Sequence, residues 1–483
     1  AVRKMAAHRA AVWSFLTAVA LSLVVVGMPP VMVGAAVAHG LVFGIVRIAW
    51  TLLCAVWIYE LAVETGHFEV IKESIGAVTD DRRMQVLLIA FAFGAVLEGS
   101  GGGGAPVAIC GAMMVGLGFN PFAAAVLCLI ANTSPVAYGG VGNPIRTLVA
   151  VTGLPEADLS AMVGRILPWT ALILPFWLVR SMTKTRQTLE VWPGLLTCGV
   201  TFAAVQFYWS NYRDASLVDI IGGLATLLVL TLLFKVWQPR TIWRYPGEPG
   251  VNDLHRKQHR IGEVLHAWSP FLLLAVLVIL WGIPSIKDWL DTFTTRVPVP
   301  GLHNLVVRVP PVVAATQAEP AVFDLAWLSA IGTATFFAGL IAGPILGLSV
   351  KGTLQVFLRT CYRMRFSMVA ILAMLGLGFI TRYSGMDATL GLAMTNTGVL
   401  FPFFGTLLGW LGVALTGTDA GSNALFGSLQ VITARQLGLS PVLMAAANSA
   451  GGVMGKMIDA QSIIVACAAT GQEGREGDLF RAV

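Results

Sequence analysis

Apolar stretches about as long as a lipid bilayer is thick recur along the whole chain, from Ala11–Met28 through Gly40–Tyr59 to Trp327–Leu348. No other feature limits the fold as strongly. A helix that crosses the hydrocarbon core needs about 20 mostly apolar residues, and its backbone must satisfy its own hydrogen bonds because lipid offers none. Charge is excluded to match: 12% of the 483 residues are Asp, Glu, Lys or Arg, against about 25% in soluble domains. Mean hydropathy is +0.78. The pattern predicts an all-α polytopic membrane protein with roughly ten to twelve membrane-crossing elements, embedded in the bilayer.

The formal charge of +6 does not point to nucleic acid, because Lys and Arg gather in short segments between apolar runs and form no basic domain. The six cysteines and seven histidines are scattered, without metal or disulfide spacing. Gly101–Gly104 is not followed by Lys-Ser/Thr, which argues against a phosphate loop, and no nucleophile–base pair stands out. No cofactor is expected, and an enzyme of the membrane is the weaker reading.

Cationic residues favour the cytoplasmic side of short loops, so they trace a path. Arg3, Lys4 and Arg9 place the start inside; Ala11–Met28 leads out, and Gly40–Tyr59 returns to Lys72, Arg82 and Arg83. Arg180, Lys184 and Arg186 share that side with the polar loop Arg240–Arg260, because two apolar runs separate them. His266–Gly282 crosses to the Pro-rich stretch Ile283–Pro320, which reads as an extended outer loop. The chain then returns to Lys351, Arg359, Arg363 and Arg365. This parity requires Met84–Gly118 to enter and return as a re-entrant hairpin, turning at the break that runs from Glu98 through Gly101–Gly104 to Pro106. Such a break must be buried in protein or line a wet cavity.

Three collinear blocks repeat. Phe93-Gly-Ala-Val-Leu-Glu-Gly-Ser100 aligns with Leu411-Gly-Val-Ala-Leu-Thr-Gly-Thr418, Leu117-Gly-Phe-Asn-Pro121 with Leu437-Gly-Leu-Ser-Pro441, and Ala131-Asn-Thr133 with Ala447-Asn-Ser449. The last pair opens helix interruptions running to Asn143 and Asp459. The charge path puts the two copies in opposite orientations. Inverted repeats with paired interrupted helices point to a secondary transporter whose site lies near the midplane, although a channel can share this plan.

The interruptions carry the polar residues. Candidates for a substrate hydroxyl or carboxylate are Ser100, Gly101, Gly102, Asn132, Thr133, Ser134, Thr418, Ser422, Asn423, Asn448 and Ser449, beside half-helix ends whose N–H groups attract anions. The competing reading is that these small residues cap half-helices and allow tight packing. Glu98 and Asp419 are the intramembrane carboxylates that could carry a coupling proton, against the alternative of permanent bonding to half-helix N–H groups. Arg146, Lys456 and Asp459 are possible charge partners, and Arg146 can equally reach outer water.

At these residues the chain resembles the bacterial lactate permease family over nearly its whole length. The resemblance rests on Leu97-Glu-Gly-Ser-Gly-Gly-Gly-Gly-Ala-Pro-Val-Ala108, Asn132-Thr-Ser-Pro-Val-Ala-Tyr-Gly139, Gly409-Trp-Leu-Gly-Val-Ala-Leu-Thr-Gly-Thr-Asp419, Ser422-Asn-Ala-Leu-Phe426, Gly451-Gly-Val-Met-Gly-Lys-Met457 and Gln461-Ser-Ile. It implies proton-coupled uptake of L-lactate or a related small 2-hydroxymonocarboxylate such as D-lactate or glycolate across the bacterial inner membrane. It also implies the architecture of the ion transporter superfamily, in which a transport domain moves like an elevator against a scaffold. The alternative is a different small organic anion. Departures fall at Gly103, at Asn143-Pro144-Ile145-Arg146 and at Asp459-Ala460, beside the expected site. The family carries a further apolar segment at each end, which implies a truncated chain here.

The expected organisation is N-terminal helices on the scaffold side (1–83), a first hairpin and broken helix (84–160), scaffold helices (161–400), a second hairpin and broken helix (401–470) and a cytoplasmic tail (471–483). The scaffold segment includes a cytoplasmic loop (237–262) and an outer loop (283–325).

Overall fold

A computed structural model describes residues 7–101, 105–245, 259–312, 315–472 and 474–483. Among them, eight helices are long and apolar enough to cross a membrane, nine if the bent pair Pro121–Ala131 and Val136–Thr152 is one span. Three shorter apolar helices, His8–Val24, Pro106–Gly116 and Ile331–Ile345, account for most of the difference from the ten to twelve elements expected.

Ion pairs tie the polar segments together on two opposite ends of the helices. At one end Arg83, fully buried, pairs with Asp81 at 2.6 Å and donates to the carbonyls of Gln187 and Thr241, each at 2.7 Å. Segments around residues 81, 187 and 241 therefore meet, as the charge path requires. Arg359 pairs with Glu64 and Arg363 with Glu60, at 2.8 and 2.6 Å. At the other end Glu319 is held by Arg308 at 2.7 Å and Arg382 at 2.6 Å, and Arg382 also donates to the carbonyl of Ala150.

The stretch expected as an extended loop is more ordered than that. It holds a short helix, Pro284–Asp291, and two small antiparallel sheets, Thr295–Pro298 with Val322–Leu325 and Val307–Arg308 with Gln317–Ala318. Pairing satisfies backbone groups lying over the helices. Strands this short, divided by prolines, leave little alternation to read in the sequence.

The segment Arg82–Gly101 is buried at every position, so its apolar side chains face protein and not lipid. The helix Ala105–Gly116 follows it, and beyond that helix the Phe119 ring centre lies 4.8 Å from the Arg82 guanidinium at the segment's start. A second antiparallel pair, Phe401–Thr416 and Asp419–Gln436, is joined by Ser422 donating to Gly409 O at 3.0 Å and Gln430 donating to Gly405 O at 2.7 Å. Its outer ends pack together through Phe401, Ala434 and Met444.

The matched blocks that follow have the same local geometry. Gly118 and Gly438 take left-handed φ of +99° and +68°, a conformation that suits residues without a Cβ. Phe119 N donates to Met114 O and Leu439 N to Ala434 O, a five-residue return in both cases. Asn120 and Ser440 then cap the next helices, each with Pro in the first turn.

The helix breaks differ in position. The first runs from Asn132 through a 3₁₀ turn at Val136–Tyr138 to left-handed Gly140, Val141 and Gly142. The second begins later than expected: Asn448 and Ser449 lie inside the helix Pro441–Gly455, and the interruption is Lys456–Ile458 with extended Asp459. Gly451, Gly452 and Gly455 do not break the helix. A Cβ on them would come within 2.3 Å of Thr406 O, Asp419 Oδ1 and Trp410 O, so their smallness serves close packing against the second hairpin.

Candidate site at the helix breaks

Both hairpin tips reach one cavity of about 570 Å³. Gly101 from the first tip, Thr416 and Thr418 from the second, and Gln461 just beyond the second break all line it. Glu60 and Arg363 also line it, so it opens toward the end that carries those ion pairs.

The second tip is a dense network, although Asp419 Oδ1 and Gln430 Oε1 are buried without a partner among the described residues. Thr418 caps its helix by accepting from Gly421 N at 3.0 Å. Asn423 donates to Asp419 Oδ2 at 3.2 Å, to Ser449 Oγ at 3.3 Å and to Pro144 O at 3.1 Å, the last across to the first break. Ser449 donates to Asp419, and Asn448 donates to Asn423 Oδ1 at 2.9 Å while accepting from Gln430 at 3.1 Å. Ser422, besides donating to Gly409, accepts from Asn448. These bonds tie the second tip to the helix Pro441–Gly455.

Lys456, almost fully buried, joins that tip to the second break. It donates to Gly417 O at 2.7 Å and pairs with Asp459 at 3.3 Å, while Asp459 caps the following helix through Ser462 N. It is the cation whose charge reaches both Glu98 and Asp419.

The first half of the site is less satisfied. Glu98 passes directly over Gly139, where a Cβ would sit 2.6 Å from its Oε1. Glu98 Oε2, Asn132 Nδ2 and Oδ1, Ser134 Oγ and both amide atoms of Asn143 are buried without a hydrogen-bond partner among the described residues, although Asn132 faces Glu98. Leaving such groups unpaired costs roughly 1–3 kcal/mol each. Ser100 and Thr133 are not among these groups: their hydroxyls donate back to Val96 O and Ile130 O within their own helices. Gly102 and Gly103 lie outside the described residues. Arg146 faces away from this cluster, donating to Val141 O and Ser216 Oγ beside Glu156.

Two residues were missed by the sequence reading. Asp219, fully buried, has both carboxylate oxygens unpartnered among the described residues and packs against Gly99, whose Cβ would lie 2.9 Å from its own. Arg47 lies on a π-helical turn, Gly44–Ala49, midway along the span Pro30–Glu64. Each is a single charge inside a long apolar run, and that isolation was the available signal.

The L-lactate permease family matches residues 1–483. The L-lactate permease of Salmonella typhimurium is 44% identical over 99% of this chain and 88% of its own length. The Escherichia coli glycolate permease GlcA is 44% identical over 100% and 89%, and the Bacillus subtilis L-lactate permease 40% over 100% and 89%. The crystal structure of the Alcanivorax borkumensis YdaH transporter covers 99% of this chain and 94% of its own, at 14% identity and a TM-score of 0.48. With the family matched end to end and the apolar helices above, the chain belongs to the L-lactate permease family, as a multi-pass membrane transporter.

Proposed function

We propose that the protein is a secondary active transporter that takes up L-lactate, or a related 2-hydroxymonocarboxylate such as glycolate, together with protons across the bacterial inner membrane. One observation carries this reading: Gly101 at the first hairpin tip, Thr416 and Thr418 at the second, and Gln461 just beyond the second break border one cavity. A 2-hydroxy acid offers a carboxylate and a hydroxyl, and Asn132, Ser134 and Asn143 offer donors and acceptors for both. Relatives named for L-lactate and glycolate transport support this substrate class.

Lys456 supplies positive charge near the substrate carboxylate, and Glu98, with Asp419 second, takes up and releases the proton. The two hairpins are re-entrant and inverted, with the chain's start in the cytoplasm, and residues 84–160 and 401–470 move as a transport unit against the remaining helices. Gly99 and Gly223 support such sliding, because they let the first hairpin pass close to the helix Val218–Val236. Uptake of a panel of labelled 2-hydroxy acids into proteoliposomes tests the reading. Saturable L-lactate or glycolate uptake driven by an imposed pH gradient is expected; unsaturable flux, or none for any member, contradicts it.

A further inference from the structure

A second cavity, of about 850 Å³, lies at the opposite end of the molecule, between the ends of the membrane helices and the small sheets. Its floor is the outer side of the first break: Arg146, Ala215 and Ser216 line it, Arg146 is bonded to Val141 O and Ser216, and Gly142 packs against Ala215 O. The wall carries nine charged side chains, and most are committed. Arg146 lies 3.6 Å from Glu156 and Arg296 lies 3.4 Å from Asp324. Asp214 accepts from Ser216 N, and Asp291 accepts weakly from Thr294. Arg47, Arg213 and Lys287 form no ion pair and no side-chain hydrogen bond among the described residues.

Arg47 differs from the other two because it stands on a π-helical turn within the long helix Pro30–Glu64, level with the ends of the neighbouring helices that line the cavity. A partly buried guanidinium without a direct partner favours an anion, and a π-helical turn displaces the local backbone to aim a side chain. Its neighbours Glu156, Asp291 and Asp324 attract it through space without contacting it, and Arg146 opposes it. The fork of Arg47 therefore has donors available for a planar carboxylate.

We infer that this cavity is a carboxylate-capture site, in which Arg47 holds the anionic end of the substrate before it passes the first break. The inference rests on the transport reading above, and it adds a second binding position about which that reading says nothing.

The test compares wild type, Arg47→Gln, Arg47→Lys and, as a control on the other face, Lys351→Gln. Initial rates of labelled L-lactate uptake are measured in vesicles of both orientations. Losing a charge-assisted pair should raise the half-saturation concentration about tenfold or more. The expected result is that rise for Arg47→Gln from the sheet-bearing face only, an intermediate value for Arg47→Lys, and no change for Lys351→Gln. The lactate-to-lactamide preference should fall by the same factor, because lactamide lacks the charge. An unchanged half-saturation concentration in a folded Arg47→Gln protein overturns the inference and leaves the transport reading intact. If wild type moves no 2-hydroxy acid, the transport reading fails; equilibrium dialysis of labelled L-lactate then still decides the site, equal binding by wild type and Arg47→Gln overturning it.

Discussion

Asn448 donates to the amide oxygen of Asn423 at 2.9 Å, and that bond locks the helix Pro441–Gly455 to the tip of the second hairpin. Asn448 also accepts from Gln430, so its amide is fully engaged inside the protein. Asn132, its counterpart in the repeated blocks, has no hydrogen-bond partner among the described residues. The pair therefore divides stability from binding. Asn448→Ala should destabilise the protein by about 1–3 kcal/mol, because Asn423 and Gln430 lose partners. Asn132→Ala should melt within a degree or two of wild type yet raise the half-saturation concentration for uptake severalfold. Thermal melts in detergent beside uptake kinetics check both; a stability loss for Asn132→Ala as large as for Asn448→Ala would return Asn132 to a packing role.

Arg83 anchors three segments at one end of the molecule through Asp81, Gln187 and Thr241. Arg83→Ala leaves buried Asp81 without its charge partner, and truncating such a pair costs about 3–5 kcal/mol. Arg83→Lys keeps the charge but not the planar fork, so it should fall between. Melting temperatures in detergent rank the three proteins, and an Arg83→Ala protein as stable as wild type would contradict the anchor.

His259 bonds to Glu73 on the helix His67–Gly76, and that hydrogen bond raises the imidazole's affinity for a proton. A folded-state value above the ordinary His range near ~6.5 means the stabilisation is complete below that range. It is lost as pH rises through the raised value. The stability difference between wild type and His259→Gln should therefore shrink from pH 6 toward alkaline pH. Melts of both proteins across that range would show it, and a difference that grows with pH would contradict it.

Much of the fold was legible because lipid restricts what a chain can do: apolar runs became helices, and clustered Arg and Lys marked the ends that Arg83 and Arg363 now join. The matching turns at Leu117–Pro121 and Leu437–Pro441 were legible because a left-handed glycine, a capping residue and a proline make one recognisable helix–turn–helix signal. The second break was misplaced because glycine has two uses. Around Gly140 and Gly142 it permits left-handed backbone, whereas at Gly451, Gly452 and Gly455 it permits close helix packing within an unbroken helix. Site residues were only half legible: sequence identifies Ser100 and Thr133 as hydroxyls but not that each bonds its own helix, and it could not pair Asp219 with Gly99 across more than a hundred residues.

Proton coupling is tested most directly at Glu98. Glu98→Gln keeps the side chain's size and much of its hydrogen bonding but cannot titrate. Wild type, Glu98→Gln and Asp419→Asn are reconstituted, and two quantities are read with labelled L-lactate: accumulation driven by a pH gradient alone, and exchange at equal concentrations without a gradient. The account predicts that Glu98→Gln loses accumulation and retains exchange, with Asp419→Asn the next candidate for the same behaviour. Accumulation at wild-type level in both amide variants would contradict it and require the proton to travel on another group or with the substrate itself.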